Sequence, residues 1–287
     1  MMIMKELCLN ISRARRKFKD SLGQANHFLI TALIGLDYIY NNDVECPSSF
    51  STSWNPKNKK SSIDRTRQYI LNSSLAWAID SLDSYMTMCN QVPKLLDNEN
   101  LIKAIDKSHR SVNEKFIALA GYVNLDYDFN IYMSIVGLAI QWRNNTVHSD
   151  AENKIDESHR KILVDSAEKI KELFCNLNII ETLDSFESKR DPTFKEVTSI
   201  IRGIQRFVEY VDNYLISKMD ITKYACSILN HHCKKNNKSA ESIMALSEER
   251  RTLKIINILK SYSFSEICTL DSVAKIEINN IINLWAK

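Results

Sequence analysis

The residues best suited to chemistry lie together in one segment, Arg143-Asn144-Asn145-Thr146-Val147-His148. Histidine gains and loses a proton near neutral pH and can act as base or acid. A guanidinium stays charged and offers two parallel donors to a phosphate or carboxylate. RNA can be cut with such groups. A base takes the proton of the 2′-hydroxyl, an acid protonates the departing 5′-oxygen, and a cation offsets the charge gathering on the phosphate oxygens. His148 is the candidate for proton transfer and Arg143 for charge stabilisation. Asn144, four residues before His148, shares its face on a continuing helix and can orient the imidazole or hold a phosphate. Arg143 and His148 would stand about 140° apart around an ideal helix, so a break near Asn145-Thr146 would bring them together.

The elements that must position this segment are legible in the apolar pattern. Phe129 to Trp142 is apolar almost all round, with Ile131, Tyr132, Met133, Ile135, Val136, Leu138, Ala139 and Ile140, which predicts a helix at the centre of a bundle. It runs straight into charged and amide groups, which must face a cleft, an interface or solvent because unpaired buried charge is costly. Upstream, Leu71, Leu75, Ala78, Leu82 and Tyr85 recur at three- and four-residue steps behind Ser61-Ser62-Ile63-Asp64, which resembles a capping box. That helix should end before Pro93. It carries Asp80 and Asp83, which are either solvated carboxylates or partners that fix the Arg143 guanidinium. Asp83 is taken as the auxiliary residue.

Arg143-Asn144-x-x-Val147-His148 after an apolar helix resembles the Arg-x4–6-His signature of the HEPN superfamily, helical-bundle proteins named for prokaryotic and eukaryotic nucleotide binding. The polar residue after the arginine matches that family's commonest form. Ile79-Asp80-Ser81-Leu82-Asp83-Ser84-Tyr85 is similar to an acidic-x-aromatic stretch on an early helix in several defence-associated branches. The resemblance covers about residues 22 to 180. It implies a metal-independent endoribonuclease without cofactor, usually a homodimer that brings two motifs into one composite cleft, and often a toxin or abortive-infection effector against phage. In such a cleft one His148 serves as base and the other as acid. An antitoxin or regulatory partner fits the same picture. The rival reading is a non-catalytic helical module that binds a protein or nucleotide, with a structural or degenerate motif.

Only five glycines and four prolines occur in 287 residues, which disfavours turn-dense β architecture and predicts an all-α fold. The expected organisation is a helical bundle over residues 1–185 and a C-terminal helical extension over 186–287. Further helices are expected at about 3–20, 22–41, 97–120, 155–178, 240–261 and 270–286, and one opening at Asp191-Pro192. Residues 42–62 read as a long loop, and His231 to Ser239 as a hinge. In and after that loop Lys57, Lys59, Lys60 and Arg65 are candidate RNA contacts, with Phe50 and Trp54 able to stack on bases or anchor the loop. The net charge of +3 is too mild to demand nucleic acid by itself.

Seven cysteines without CxxC spacing suggest neither a zinc ribbon nor a disulfide framework and fit a reducing cytoplasm. His231-His232-Cys233 lacks the spacing of a tetrahedral metal site. His109 and His159, each between a serine and an arginine, are expected to face solvent. No Walker loop, GxGxxG, GxSxG or HExxH is present. The longest apolar run, Ile131 to Trp142, is about half of what a membrane span needs.

Overall fold

The computed structural model describes residues 6–50, 54, 56–109, 111–123, 126–147, 153–268 and 274–285. His148 lies outside the described residues. Helix accounts for 74% of the chain and the described residues contain one small two-stranded sheet, so the fold is all-α as expected.

In chain order the elements are β1 (Glu6–Leu9), α1 (Arg13–Asn41), a 3-10 turn (Ser48–Phe50), α2 (Lys59–Cys89), α3 (Glu99–Lys107), α4 (Val112–Tyr122), α5 (Tyr127–Val147) and α6 (Glu157–Asp165). Then come α7 (Ala167–Leu173), α8 (Ile179–Glu187), α9 (Phe194–Lys218), α10 (Ile221–Lys235), α11 (Ala240–Met244), α12 (Glu248–Lys260), β2 (Ala274–Glu277) and α13 (Ile278–Trp285). Among the described residues no helix is long and apolar enough to cross a membrane.

Several elements differ from the sequence expectation for local reasons. The expected helices at 3–20 and 22–41 are one strand and one continuous helix, because Ser12 caps α1, its Oγ accepting from Arg15 N at 3.0 Å. The 97–120 segment splits because Ser111 caps a new helix, accepting from Glu114 N. At Ser166 the 155–178 segment divides into α6 and α7. Helix α9 starts beyond Asp191-Pro192, at a reciprocal box in which Thr193 N donates to Glu196 Oε2 (2.7 Å) and Glu196 N donates to Thr193 Oγ1 (3.2 Å). Asn58 rather than Ser61 caps α2, accepting from Ser61 N. Of the hinge expected over His231 to Ser239, residues 231–235 are the end of α10 and 236–239 form the turn before α11, and the isoleucine-rich end is a strand followed by a short helix.

The chain divides into two compact units that are interleaved in sequence, with the divisions falling inside α1, α2 and α9. One unit comprises Asp20–Leu82 and Leu125–Phe207. Helix α5 is buried on every side within it: Phe129, Ile131, Ile135, Val136, Leu138, Ala139, Ile140 and Trp142 are all sequestered. Each of the Phe, Ile, Val and Leu side chains among them contributes about 1.5–3 kcal/mol of transfer free energy, so apolar burial rather than helix propensity holds α5 in place. Phe129 stacks on Phe207, and the rings of Tyr132 and Trp142 meet Phe174 and Phe186 edge-on. Leu22, Ala25, Leu29, Leu33 and Leu36 give α1 its buried stripe, whereas Phe28 and Tyr40 are exposed. The α2 residues Leu71, Leu75, Ala78 and Leu82 are buried as expected.

Close packing of α9 on α5 depends on Gly203. A Cβ there would meet Ile135 Cγ2 at 2.5 Å. Gly203→Ala should therefore destabilise the protein by about 1–3 kcal/mol through overpacking, although alanine in a helix is intrinsically better than glycine by about 1 kcal/mol. Denaturant unfolding checks this, and Ile135→Ala should cost less in the Gly203→Ala protein than in the wild type, because it removes the clash.

The other unit comprises Met1–Lys19, Asp83–Asn124 and Val208–Lys287. Its strands pair antiparallel with Leu7 opposite Ile276. Asp212 is fully buried, where Oδ2 accepts from Ser12 N at 3.0 Å and Oδ1 accepts from the Ser12 hydroxyl. Tyr85 OH lies 3.4 Å from the same Oδ1. The α1 cap is thus tied to a carboxylate in the core.

Candidate functional site

Helix α5 is set by Asp126, whose carboxylate accepts from Phe129 N at 3.0 Å, and it continues without a break through Asn145 and Thr146 to Val147. Of the two geometries the sequence left open, the described residues show the continuing helix without a break at Asn145-Thr146, and Thr146 Oγ1 donates to Trp142 O at 2.9 Å within it. Arg143, Asn144 and Asn145 lie on the last turn of a helix that is otherwise core. Each is half-buried.

The Arg143 guanidinium is held from one side. Nη2 donates to Asp80 Oδ1 at 3.1 Å, and Nη1 makes a long 3.4 Å contact to Asn144 Oδ1. Its Nε is buried and has no hydrogen-bond partner among the described residues. A buried unpaired donor is uncommon enough to call for an explanation. The Arg143 side chain keeps 23% of its exposure and that of Asp80 63%, so the pair stands at the surface end of the α2–α5 contact. Of the two carboxylates weighed from sequence, Asp80 is the one at Arg143. Asp83 belongs to the other unit, where its Oδ1 accepts from the buried Lys115 Nζ at 2.8 Å.

Asn145 is spent on the chain that follows. Its Nδ2 donates to Asn153 O at 3.0 Å, and its Oδ1 accepts from Asn153 N at 2.9 Å and Asn153 Nδ2 at 3.1 Å. This clasp joins the two ends of the segment that contains His148. Beside it lies a cavity of about 390 Å³ lined by Asn145, Asn153, Lys154, Arg160, Phe186 and Lys189, with Glu157 and Glu187 also on its wall. Arg160 Nε donates to Glu187 at 2.9 Å across the cavity wall. The volume suits a small ligand. None of the lining residues beyond Asn145 was singled out from sequence, because they come from the α5–α6 connection, α6, α8 and the stretch after it.

His159 is half-buried rather than solvent-facing. Its Nδ1 lies 3.1 Å from Ser134 Oγ, and its ring covers the space where a Gly137 Cβ would sit, 3.1 Å from Cδ2. Burial lowers its pKa below the usual histidine value, with Asp156 pulling the other way, so the ring is neutral at pH 7 and packs α6 onto α5. His109 is exposed as expected.

The candidate RNA contacts cluster at the other end of α2. Lys59 and Lys60 open the helix, Lys57 precedes it and Arg65 follows a turn later; Lys57, Lys60 and Arg65 are exposed. Lys59 Nζ is turned back onto Asn42 O, with Asp43 at 3.9 Å. Lys60 and Asp80 are separated by about 30 Å along the helix axis, so these cations do not adjoin Arg143. Phe50 and Trp54 are exposed.

The described residues contain no cluster of three or more histidine, cysteine or acidic side chains able to hold a metal ion. Compared with protein-family models, curated proteins and solved structures, the chain finds no match in any of the three.

Proposed function

We propose that the chain is a metal-independent endoribonuclease of HEPN type, acting as a homodimer with a composite cleft, and that it serves as a toxin or antiphage effector. The observation that supports this reading best is the state of Arg143. It sits at the polar end of an apolar central helix, oriented by one carboxylate, with the rest of the guanidinium uncommitted to any anion among the described residues. An arginine needed only to cap the helix would place its donors on the free carbonyls of the last turn; its described partners are the Asp80 carboxylate and the Asn144 side chain instead.

In the proposed reaction one His148 removes the proton of the ribose 2′-hydroxyl. The 2′-oxygen attacks the adjacent phosphorus and the bond from phosphorus to the 5′-oxygen breaks. The second His148 gives a proton to that oxygen, leaving a 2′,3′-cyclic phosphate and a 5′-hydroxyl. Arg143 donates to the phosphate oxygens as charge builds, Asn144 supports the pair, and Asp80 is a positioning residue acting through Arg143. Every proton is carried by the protein, so the reaction should proceed in chelator.

Expression in bacteria of the wild type beside His148→Ala tests the proposal. Growth arrest with fragmented RNA, abolished by the substitution, is the expected outcome. Unimpaired growth and intact RNA from a folded wild type would favour the non-catalytic module. Asp80→Asn should lower kcat about tenfold or more, as loss of an orienting partner does, with KM nearly unchanged and stability within about 1 kcal/mol of wild type because the Asp80 side chain is largely exposed. Steady-state cleavage of a short RNA reads the split.

A further inference from the structure

The cavity of about 390 Å³ beside Asn145 has a mixed wall. Lys154, Arg160 and Lys189 stand on it with Glu157 and Glu187, so its charges nearly balance and a bare polyanion gains little there. Ile155 and Phe186, both buried, supply its apolar part. A flat, neutral molecule whose edge carries both donors and acceptors suits such a wall. All of these residues belong to the unit that contains Arg143.

Arg160 of α6 and Glu187 of α8 set the polar edge. Arg160 Nε donates to Glu187 Oε1 at 2.9 Å, and neither side chain has another hydrogen bond among the described residues, which leaves both Nη groups and Oε2 for a ligand. The two side chains keep 41% and 45% of their exposure, so the pair itself adds little stability. At the end of α8 Lys189 has a φ of 53°, in the left-handed region where glycine is favoured. The backbone of that turn does not select a lysine, and its side chain stands on the cavity wall.

Asn145 follows Arg143 by two residues, about 200° around the helix. The cavity and the guanidinium therefore lie on opposite sides of the last turn of α5, about 10 Å apart across the helix. An RNA strand held at Arg143 reaches the cavity with a base near the cut rather than at it.

We infer that this cavity reads a guanine of the RNA substrate and so sets where the strand is cut. Guanine presents a carbonyl oxygen beside two donors, N1–H and the 2-amino group. Arg160 donates to O6, and Glu187 accepts from N1–H and N2–H. Adenine, cytosine and uracil each bring a single donor group to that edge and leave part of the carboxylate unmatched, which a site built on hydrogen bonds penalises. The ring lies against Ile155 and Phe186, and Lys154 and Lys189 meet the flanking phosphates. The inference takes its ligand from the ribonuclease reading, but the base preference is measurable without cleavage.

Fluorescence anisotropy with short 2′-O-methyl oligonucleotides, which lack the attacking hydroxyl and stay intact, tests it on the full chain. One probe has a single guanine among uracils; the others have hypoxanthine, adenine or uracil at that position. The wild type should bind the guanine probe about tenfold more tightly than the adenine or uracil probe, with hypoxanthine, which lacks the 2-amino group, in between. Glu187→Gln, at an exposed position, should abolish the preference, and Lys154→Gln should weaken all probes alike. Mapping of cut sites in a mixed-sequence RNA is the companion measurement, with cuts clustered near guanine for the wild type and spread for Glu187→Gln. Absence of binding, equal affinity for guanine and adenine, hypoxanthine bound as tightly as guanine, or a preference that survives Glu187→Gln would overturn the inference. Cleavage without base preference would remove the guanine site and leave the ribonuclease; guanine-selective binding with RNA left intact would remove the ribonuclease and leave the site.

Discussion

Arg143→Ala is expected to lower RNA cleavage about 10²–10³-fold, the usual cost of removing one preorganised donor from developing charge. His148→Ala should cost about 10²–10⁴-fold, the range for a general acid or base, and more if both copies act in one cleft. Arg143→Lys should recover only a fraction, because an ammonium cannot keep the Asp80 contact and offer a planar pair of donors at the same time. The two alanine proteins should unfold close to wild type. Arg143 retains 23% exposure and its partner Asp80 63%, so the ion pair itself adds little stability. Initial rates on a defined RNA, with circular dichroism as the folding control, measure both effects. If Arg143→Ala cleaves as the wild type does, the guanidinium has no part in the reaction.

The largest expected loss of stability is elsewhere, at Asp212. Its carboxylate accepts from the backbone N–H of Ser12 and from the Ser12 hydroxyl, which in turn accepts from Arg15 N at 3.0 Å. Asp212→Ala leaves buried donors without an acceptor at about 1–3 kcal/mol each and loosens the α1 cap. The total is expected near 3–5 kcal/mol, a fall in Tm on the order of 10 °C. Asp212→Asn keeps one acceptor and should lose about half as much. The pH dependence follows from the direction of the shift. Burial raises the Asp212 pKa more than its hydrogen bonds with Ser12 and the charge of Arg15 lower it. The folded value therefore lies above the unfolded one, and the contribution of this ionisation is fullest below the unfolded pKa of about 3.9 and is lost as pH rises through the folded value. Asp212→Asn should flatten that part of the profile in denaturant titrations taken from pH 3 upward.

The central helix was readable because its signal is local. Fourteen consecutive positions from Phe129 to Trp142 are nearly all apolar, and the change to Arg143-Asn144-Asn145 marks where that helix meets the surface. The α2 stripe through Leu71 and Leu82 is equally local. What stayed hidden depends on partners far along the chain. Strands β1 and β2 are four residues each and pair across almost the whole sequence, so neither carries enough alternation to be distinguished from a helix end. Asp80 and Asp83 are equally plausible in sequence. They point in different directions around α2, and only the packing sends one to Arg143 and the other to Lys115. Phe28 and Tyr40 illustrate the same limit: both are apolar and helically spaced, yet α1 turns them outward. The cavity beside Asn145 draws its lining from separate elements, which no spacing rule joins.

One measurement bears most directly on the ribonuclease proposal. Purified protein is given a short RNA cut at a known position and the same RNA carrying a single 2′-deoxy sugar on the 5′ side of that position, in the presence of chelator. The expected result is a 2′,3′-cyclic phosphate end from the first substrate and no cleavage at that position in the second. Cleavage of the 2′-deoxy substrate, or dependence on added metal, would contradict it.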